Sequence, residues 1–246
     1  MRNMLHLNRG KDENGNARFS EIAQLSGISN TDWSWAAIFA DLDCDGWKDL
    51  VITNGYLREF TDMDFLKYTM ADAQFQAATR GETNFKTYDL VQKMPSNKLK
   101  NYLFRNKGDL TFSDVTRQWG LDVPSVSNAA ATADLDNDGD LDLIIGNNNE
   151  PVMLWRNNLR DHKWLEVDLK GSGLNRDALG AKVWLYSGGT SQYQEKYPVR
   201  GFQSTISPVL HFGVNRETID SLVVEWPSRK RTKLKNAAIN RLITLS

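Results

Sequence analysis

One cysteine, Cys44, stands in 246 residues. No internal disulfide is possible, and no CxxC pair exists to hold a metal or run thiol exchange. Histidine is scarce: only His6, His162 and His211 occur. No G-x-S-x-G or H-E-x-x-H signature accompanies them, so no activated nucleophile or zinc-protease site is legible. No apolar run is long enough to cross a membrane, and no apolar segment of the signal-peptide kind follows Met1. Net charge is nearly absent as well, at −1. It is unevenly spread, however. Residues 162–246 carry 13 Lys+Arg against 7 Asp+Glu, which leaves 17 against 24 for residues 1–161. With 40% hydrophobic and 25% charged residues, the composition is that of ordinary globular domains, and the length allows two cores.

What the chain does have is a duplicated acidic loop. Asp41-Leu42-Asp43-Cys44-Asp45-Gly46-Trp47-Lys48-Asp49-Leu50 and Asp134-Leu135-Asp136-Asn137-Asp138-Gly139-Asp140-Leu141-Asp142-Leu143 both read D-x-D-x-D-G-x-x-D-L. Alternate carboxylates followed by a glycine suit a loop wrapped around a hard cation. Ca²⁺ takes about six to eight oxygens, and the glycine permits the sharp turn. Without a cation, such a group of carboxylates repels itself. The loops are not EF-hands, since loop position 12, which needs a bidentate Glu, is Ile52 or Ile145. The β-branched runs Leu50–Thr53 and Leu143–Gly146 after the loops suit buried strands. Each loop is thus expected to join two strands and to bind Ca²⁺, two ions in all. The expected ligands are Asp41, Asp43, Asp45 and Asp49 in the first loop, and Asp134, Asp136, Asp138 and Asp142 in the second. A backbone carbonyl at Trp47 or Asp140 would complete each shell. The Asp140 side chain is left out as a ligand, and Cys44 is read as incidental.

The repeat extends beyond the loops. Asn8-Arg9-Gly10 matches Asn106-Lys107-Gly108, Phe19-Ser20-Glu21-Ile22 matches Phe112-Ser113-Asp114-Val115, and Ala36-Ala37 matches Ala129-Ala130. The copies run over about 2–54 and 101–149, and Met153-Leu154-Trp155-Arg156-Asn157-Asn158 echoes Tyr102–Lys107 as the start of a third near residue 152. Repeats of roughly fifty residues with short strands are the mark of a propeller or solenoid. These loops, with their flanking strands, resemble FG-GAP/VCBS repeats, the blades of an integrin-α-type β-propeller. The resemblance covers most of residues 1–158.

Between the copies, at about 57–98, the β pattern stops. Met63, Leu66, Met70, Ala73 and Ala77 recur at helical spacing, with Thr61 and Asp64 placed as a capping box and Gly81 as the stop. A second short helix holding Phe85, Tyr88 and Val91 would end before Pro95. Both helices are expected to pack on the blades.

From Trp164 onward, alternating strands imply a small antiparallel β-sandwich over 162–246. "NRDALGAKVWLY" (Asn175–Tyr186), "RGFQS" (Arg200–Ser204), "LHFG" (Leu210–Gly213) and "IDSLVVEWPS" (Ile219–Ser228) together resemble the ASPIC/UnbV domain. That domain follows FG-GAP/VCBS blades in the cartilage acidic protein family and in bacterial surface homologues. The fold expected is therefore mainly β: partial propeller blades with a helical insertion, then the sandwich.

The resemblance implies a calcium-binding, extracytoplasmic binding or adhesion module without catalysis, whose ligand is a protein or glycan. It also implies a fragment of a larger secreted or surface protein, with further blades and an export signal upstream. Two alternatives stay open. Arg229, Lys230, Arg231, Lys233 and Lys235 beside Trp226 form a basic stripe that could track a nucleic acid or another polyanion. No RNA-binding signature supports this, and charged edge strands also protect against aggregation. The second alternative is a hydrolase or other enzyme whose site is completed by missing blades.

Overall fold

A computed structural model describes residues 2–81 and 87–246. The structure is mainly β and propeller-like. A hairpin of β1 (His6–Lys11) and β2 (Ala17–Glu21) precedes a four-stranded antiparallel meander. That meander comprises β3 (Ser34–Ala40), β4 (Asp49–Asn54), β5 (Tyr102–Asn106) and β6 (Phe112–Asp114). A second blade is built on β7 (Ser127–Ala133), β8 (Asp142–Asn147) and β9 (Met153–Trp155). The sheets are out of phase with the sequence copies. β3 and β4 of the first copy pair with β5 and β6 of the second, through Val51 opposite Leu103. The opening strands of the third copy supply β9 to the next sheet. Each blade thus spans a copy boundary, which ties successive copies together.

β3 alternates buried and less buried positions from Ala36 onward, as period-two packing requires, whereas β4 is buried along its whole length. Ile38, Ala40 and Val51 of the first blade meet Leu121, Leu143 and Ile145 in a common core.

The C-terminal strands are β10 (Trp164–Leu169), β11 (Lys182–Ser187), β12 (Thr190–Glu195), β13 (Thr205–Ile206), β14 (Leu210–Gly213), β15 (Ser221–Glu225), β16 (Arg231–Lys235) and β17 (Arg241–Leu245). They form sheets ordered β14-β10-β17 and β12-β11-β15-β16, enclosing fully buried Leu165, Val167, Leu169, Val183, Leu185, Phe212 and Leu222. Two pairings depart from the antiparallel expectation. β10 and β17 run parallel, because the last strand returns by crossing from the other sheet rather than by a hairpin. β13 leaves the C-terminal sheets altogether and pairs in parallel with β7, Thr205 opposite Ala131.

The insertion is helical but differs in its details. Two helical residues lead into a π-helical turn at Phe65–Thr69, followed by α1 (Met70–Thr79); α2 covers Thr87–Lys93. Asp62, not Thr61, caps the start by accepting the Phe65 N–H at 2.9 Å. Gly81 does close the helix, at φ +70°. Phe85 lies outside the described residues. The apolar stripe is not packed on the blades: of its described members only Ala77 is buried, while Met63 and Tyr88 lie 57% and 71% exposed. The register puts Phe75 outward as well. No described helix is long and apolar enough to cross a membrane.

Candidate metal centres

The two acidic loops are the β3–β4 and β7–β8 turns, and they share one backbone course. Cys44 and its counterpart Asn137 take left-handed conformations (φ +55° and +61°), as do Gly46 and Gly139 (+91° and +92°). The first aspartate folds each loop over itself. Asp41 accepts the N–H groups of Asp45 at 3.1 Å and Gly46 at 3.0 Å, and Asp134 those of Asn137 at 2.7 Å and Gly139 at 2.9 Å. The last aspartate ties the loop to its blade. Asp49 accepts from Leu42 and Asn106, and Asp142 from Leu135 and Asn157.

In each loop, three of the four expected ligands converge. Oxygens of Asp41, Asp43 and Asp49 lie within 4.8 Å of one another, as do those of Asp134, Asp136 and Asp138. Asp45 and Asp142 stand outside these groups. Asp45 is engaged by the Trp47 N–H at 2.8 Å and by Arg105. Both oxygens of Asp142 accept backbone N–H groups, as both oxygens of Asp49 do, so distance from the other carboxylates and not hydrogen bonding sets Asp142 apart.

The first group is the more buried: Asp41 is 2% exposed and Asp49 fully buried. Burial, with Asp45 adding repulsion, pushes the Asp41 carboxyl up to about 7, and burial pushes Asp49 up to about 8. Asp43 is raised for the same reason, and its Oδ1 is buried without a hydrogen-bond partner. An all-carboxylate donor set with an unmet buried oxygen fits a hard cation such as Ca²⁺.

A feature the sequence reading missed is an arginine at each loop. Arg105 of β5 contacts Asp43 at 2.5 Å and Asp45 at 3.4 Å. Arg156, just after β9, contacts Asp136 at 2.6 Å and Asp138 at 3.6 Å. Both belong to the repeated Arg-Asn pair, so the signal was present in the repeat itself. Each guanidinium partly neutralises the carboxylates it faces. Asp140, left out as a ligand, is fully buried; Oδ2 accepts the Leu159 N–H at 2.8 Å, while Oδ1 has no partner.

The loops also carry the contact between the blades and the C-terminal sheets. The Gly213 N–H, at the end of β14, donates to Asp41 Oδ2 at 3.1 Å. His211 Nε2 bonds the Gly139 carbonyl at 2.9 Å, and burial holds its pKa down to about 4. The neutral ring therefore donates Nε2–H, the behaviour of a structural histidine. Cys44 is buried 4.0 Å from it, its thiol kept protonated by burial and by Asp41. The indole of Trp164 packs against Gly139 so closely that any Cβ there would overlap it.

With this geometry in view, the comparisons with known proteins fall into place. Residues 91–145 match the family model of the FG-GAP-like repeat, and 171–246 match that of ASPIC and UnbV. The chain joins an FG-GAP-like repeat to an ASPIC and UnbV segment. It is similar to cartilage acidic protein 1 of Mus musculus, at 25% identity over 88% of this chain, and of Homo sapiens, at 24% over 93%. The Xenopus tropicalis protein matches at 25% over 88%. The chain spans 37% of the length of each of these relatives.

The basic run lies where the sequence put it. Arg231, Lys233 and Lys235 share the exposed face of β16, the edge of its sheet. Arg231 is paired with Glu225 at 2.6 Å, and the Trp226 indole donates to Thr232.

Proposed function

We propose that the chain is a calcium-stabilised, non-catalytic binding module of an extracytoplasmic protein, with a protein or glycan as its ligand. The observation that carries this reading is the pair of matching acidic loops, each clamped between a blade and the C-terminal sheets. Asp41, Asp43 and Asp49, and Asp134, Asp136 and Asp138, would hold one Ca²⁺ each. The cation would supply charge neutralisation and rigidity rather than a reacting group. Loops of modest affinity suit surroundings where Ca²⁺ is near millimolar, outside the cytosol. The basic edge strand is read as protection against sheet-to-sheet association, a role favoured over polyanion binding by the Arg231–Glu225 pair.

Calorimetric titration should find two calcium equivalents, and Asp43→Ala or Asp136→Ala should each remove one. At free calcium about a hundredfold above the dissociation constant, each site should add roughly 2.7 kcal/mol of stability. No heat of binding, together with a melting temperature indifferent to EDTA, would sink the reading.

The arginines give a second test. A guanidinium that shares the loop carboxylates opposes an incoming cation. Arg105→Met should therefore tighten calcium at the first loop by roughly two- to fivefold, the size of a half-exposed ion pair. It should also lower the melting temperature of the calcium-free protein. Weaker calcium binding in this variant would show that Arg105 assists the cation instead.

A further inference from the structure

The helical insertion interrupts only the first copy, and its opening residues roof a cavity of about 380 Å³. The cavity lies between the two blades at the end opposite the acidic loops: Trp33 and Trp35 flank the start of β3, Tyr56 follows β4, and Asn128 and Asn148 come from the matching ends of β7 and β8. Its volume falls in the range of about 300–1,000 Å³ typical of small-molecule sites.

Aromatic rings form its walls. Trp33 and Tyr56 meet at 51° with centroids 5.2 Å apart, making a corner. The Trp35 indole is fixed by an N–H bond of 2.6 Å to the Gly55 carbonyl and by Phe202 of the C-terminal part, 5.1 Å away. Phe60 stands at the cavity's edge, 62% exposed. Such surfaces have a negative face that attracts polarised C–H groups.

The polar groups narrow the choice of ligand. Asn128 Oδ1 is buried and has no hydrogen-bond partner. The Asn128 and Asn148 side chains line the cavity, and their amides suit an occupant that carries donors and acceptors of its own. One cation and one anion, Arg58 and Glu59, line the cavity, and both are already engaged: Arg58 with Gln92 at 2.9 Å, Glu59 with Asn97 at 3.3 Å and with Thr61. Their partners are neutral, and with one charge of each sign the rim has no net charge to select an ionic ligand.

A neutral ring with one apolar face and a rim of hydroxyl donors satisfies all of these conditions. We propose that this cavity binds a neutral pyranose sugar, the C–H face against Trp33 and Tyr56 and the hydroxyls towards the Asn128 and Asn148 amides. The inference deepens the binding-module reading, on which it rests, by giving that module a glycan site.

Methyl β-glucopyranoside, methyl β-galactopyranoside and methyl N-acetyl-β-glucosaminide, each titrated calorimetrically into the full chain with calcium present, form the test, with choline as the cationic comparison. At least one sugar should bind saturably with a dissociation constant of about 10 mM or tighter. Trp33→Ala should weaken it by tenfold or more, roughly 1.4 kcal/mol. Asn148→Ala, at an exposed position that cannot endanger the fold, should weaken it by a few-fold. Absence of saturable binding by all three sugars overturns the inference. So does binding that both variants leave unchanged, and so does choline binding in their place, which would mark a cation cage. Calcium titration of the same sample keeps the two readings apart: two bound calcium equivalents with no sugar bound would overturn the sugar site alone.

Discussion

Gly213→Ala should destabilise the protein by about 3 kcal/mol, a fall in melting temperature of roughly 6–12 °C for a chain of this size. Gly213 ends β14, where it donates its N–H to Asp41 Oδ2 and accepts from the Gln192 amide at 2.7 Å. A Cβ on Gly213 would overlap Asp41 Oδ2 and stand 2.5 Å from Cys44 backbone atoms. Neither neighbour has room to retreat. Asp41 is held by the Asp45 and Gly46 N–H groups, and Cys44 already sits in a left-handed turn. The loop must move, and Asp43 and Asp49 must move with it. Calcium affinity at the first loop should therefore drop by tenfold or more, while the second loop keeps its own. Gly146→Ala is the control, since its Cβ would meet only Ala129, the Cβ at 3.4 Å and the carbonyl oxygen at 3.8 Å. Matching melting curves and calcium affinities for the two variants would show that the loop does not lean on the C-terminal sheets.

That dependence is what the sequence could not disclose. The loops themselves were legible because their acidic residues are local: three carboxylates on alternate residues and a glycine need no distant partner to be recognised. The blade strands were legible for the same reason, as β-branched runs beside each loop. The contact between Gly213 and Asp41 joins residues far apart in the chain, and nothing in "LHFG" marks its glycine as a seat for an acidic loop. The parallel pairing of the short strand at Thr205–Ile206 with Ala131–Thr132 is hidden likewise, since two residues carry no period. The helical insertion failed in another way. Its 3.6-residue stripe correctly announced helix, yet periodicity reports which residues share a face and not whether that face meets anything. Met63 and Tyr88 remain exposed. Asp45 and Asp142 show the limit of motif reading at the site. The loop formula treats four aspartates as equals, whereas only three in each loop bring oxygens within 4.8 Å of one another.

Calcium removal should make stability depend on pH in a defined direction. In the folded chain Asp41 and Asp49 titrate at about 7 and about 8, against 3.8 when unfolded. Between those values the folded state holds protons that the unfolded state has released. Stability therefore falls as pH rises through this window. Buried His211 works the other way. Its pKa of about 4, against about 6.5 unfolded, means that it weakens the fold below pH 6.5 and changes little above. The interval from pH 6.5 to 9 thus isolates raised carboxyls: the loop pair, which contributes most, and Glu166, held at about 7 by burial. Raising the pH across it in EDTA should cost about 3 kcal/mol, or roughly 6–12 °C in melting temperature. Saturating calcium should flatten most of the curve, because a bound cation keeps both loop carboxyls ionised and leaves Glu166 to supply the remaining slope. Asp49→Asn should remove more than half of the slope in EDTA, since the group with the highest pKa contributes most of it. A melting temperature in EDTA that stays constant or climbs from pH 6.5 to 9 would mean that the first loop carries no strained carboxylates and has no electrostatic need of a metal.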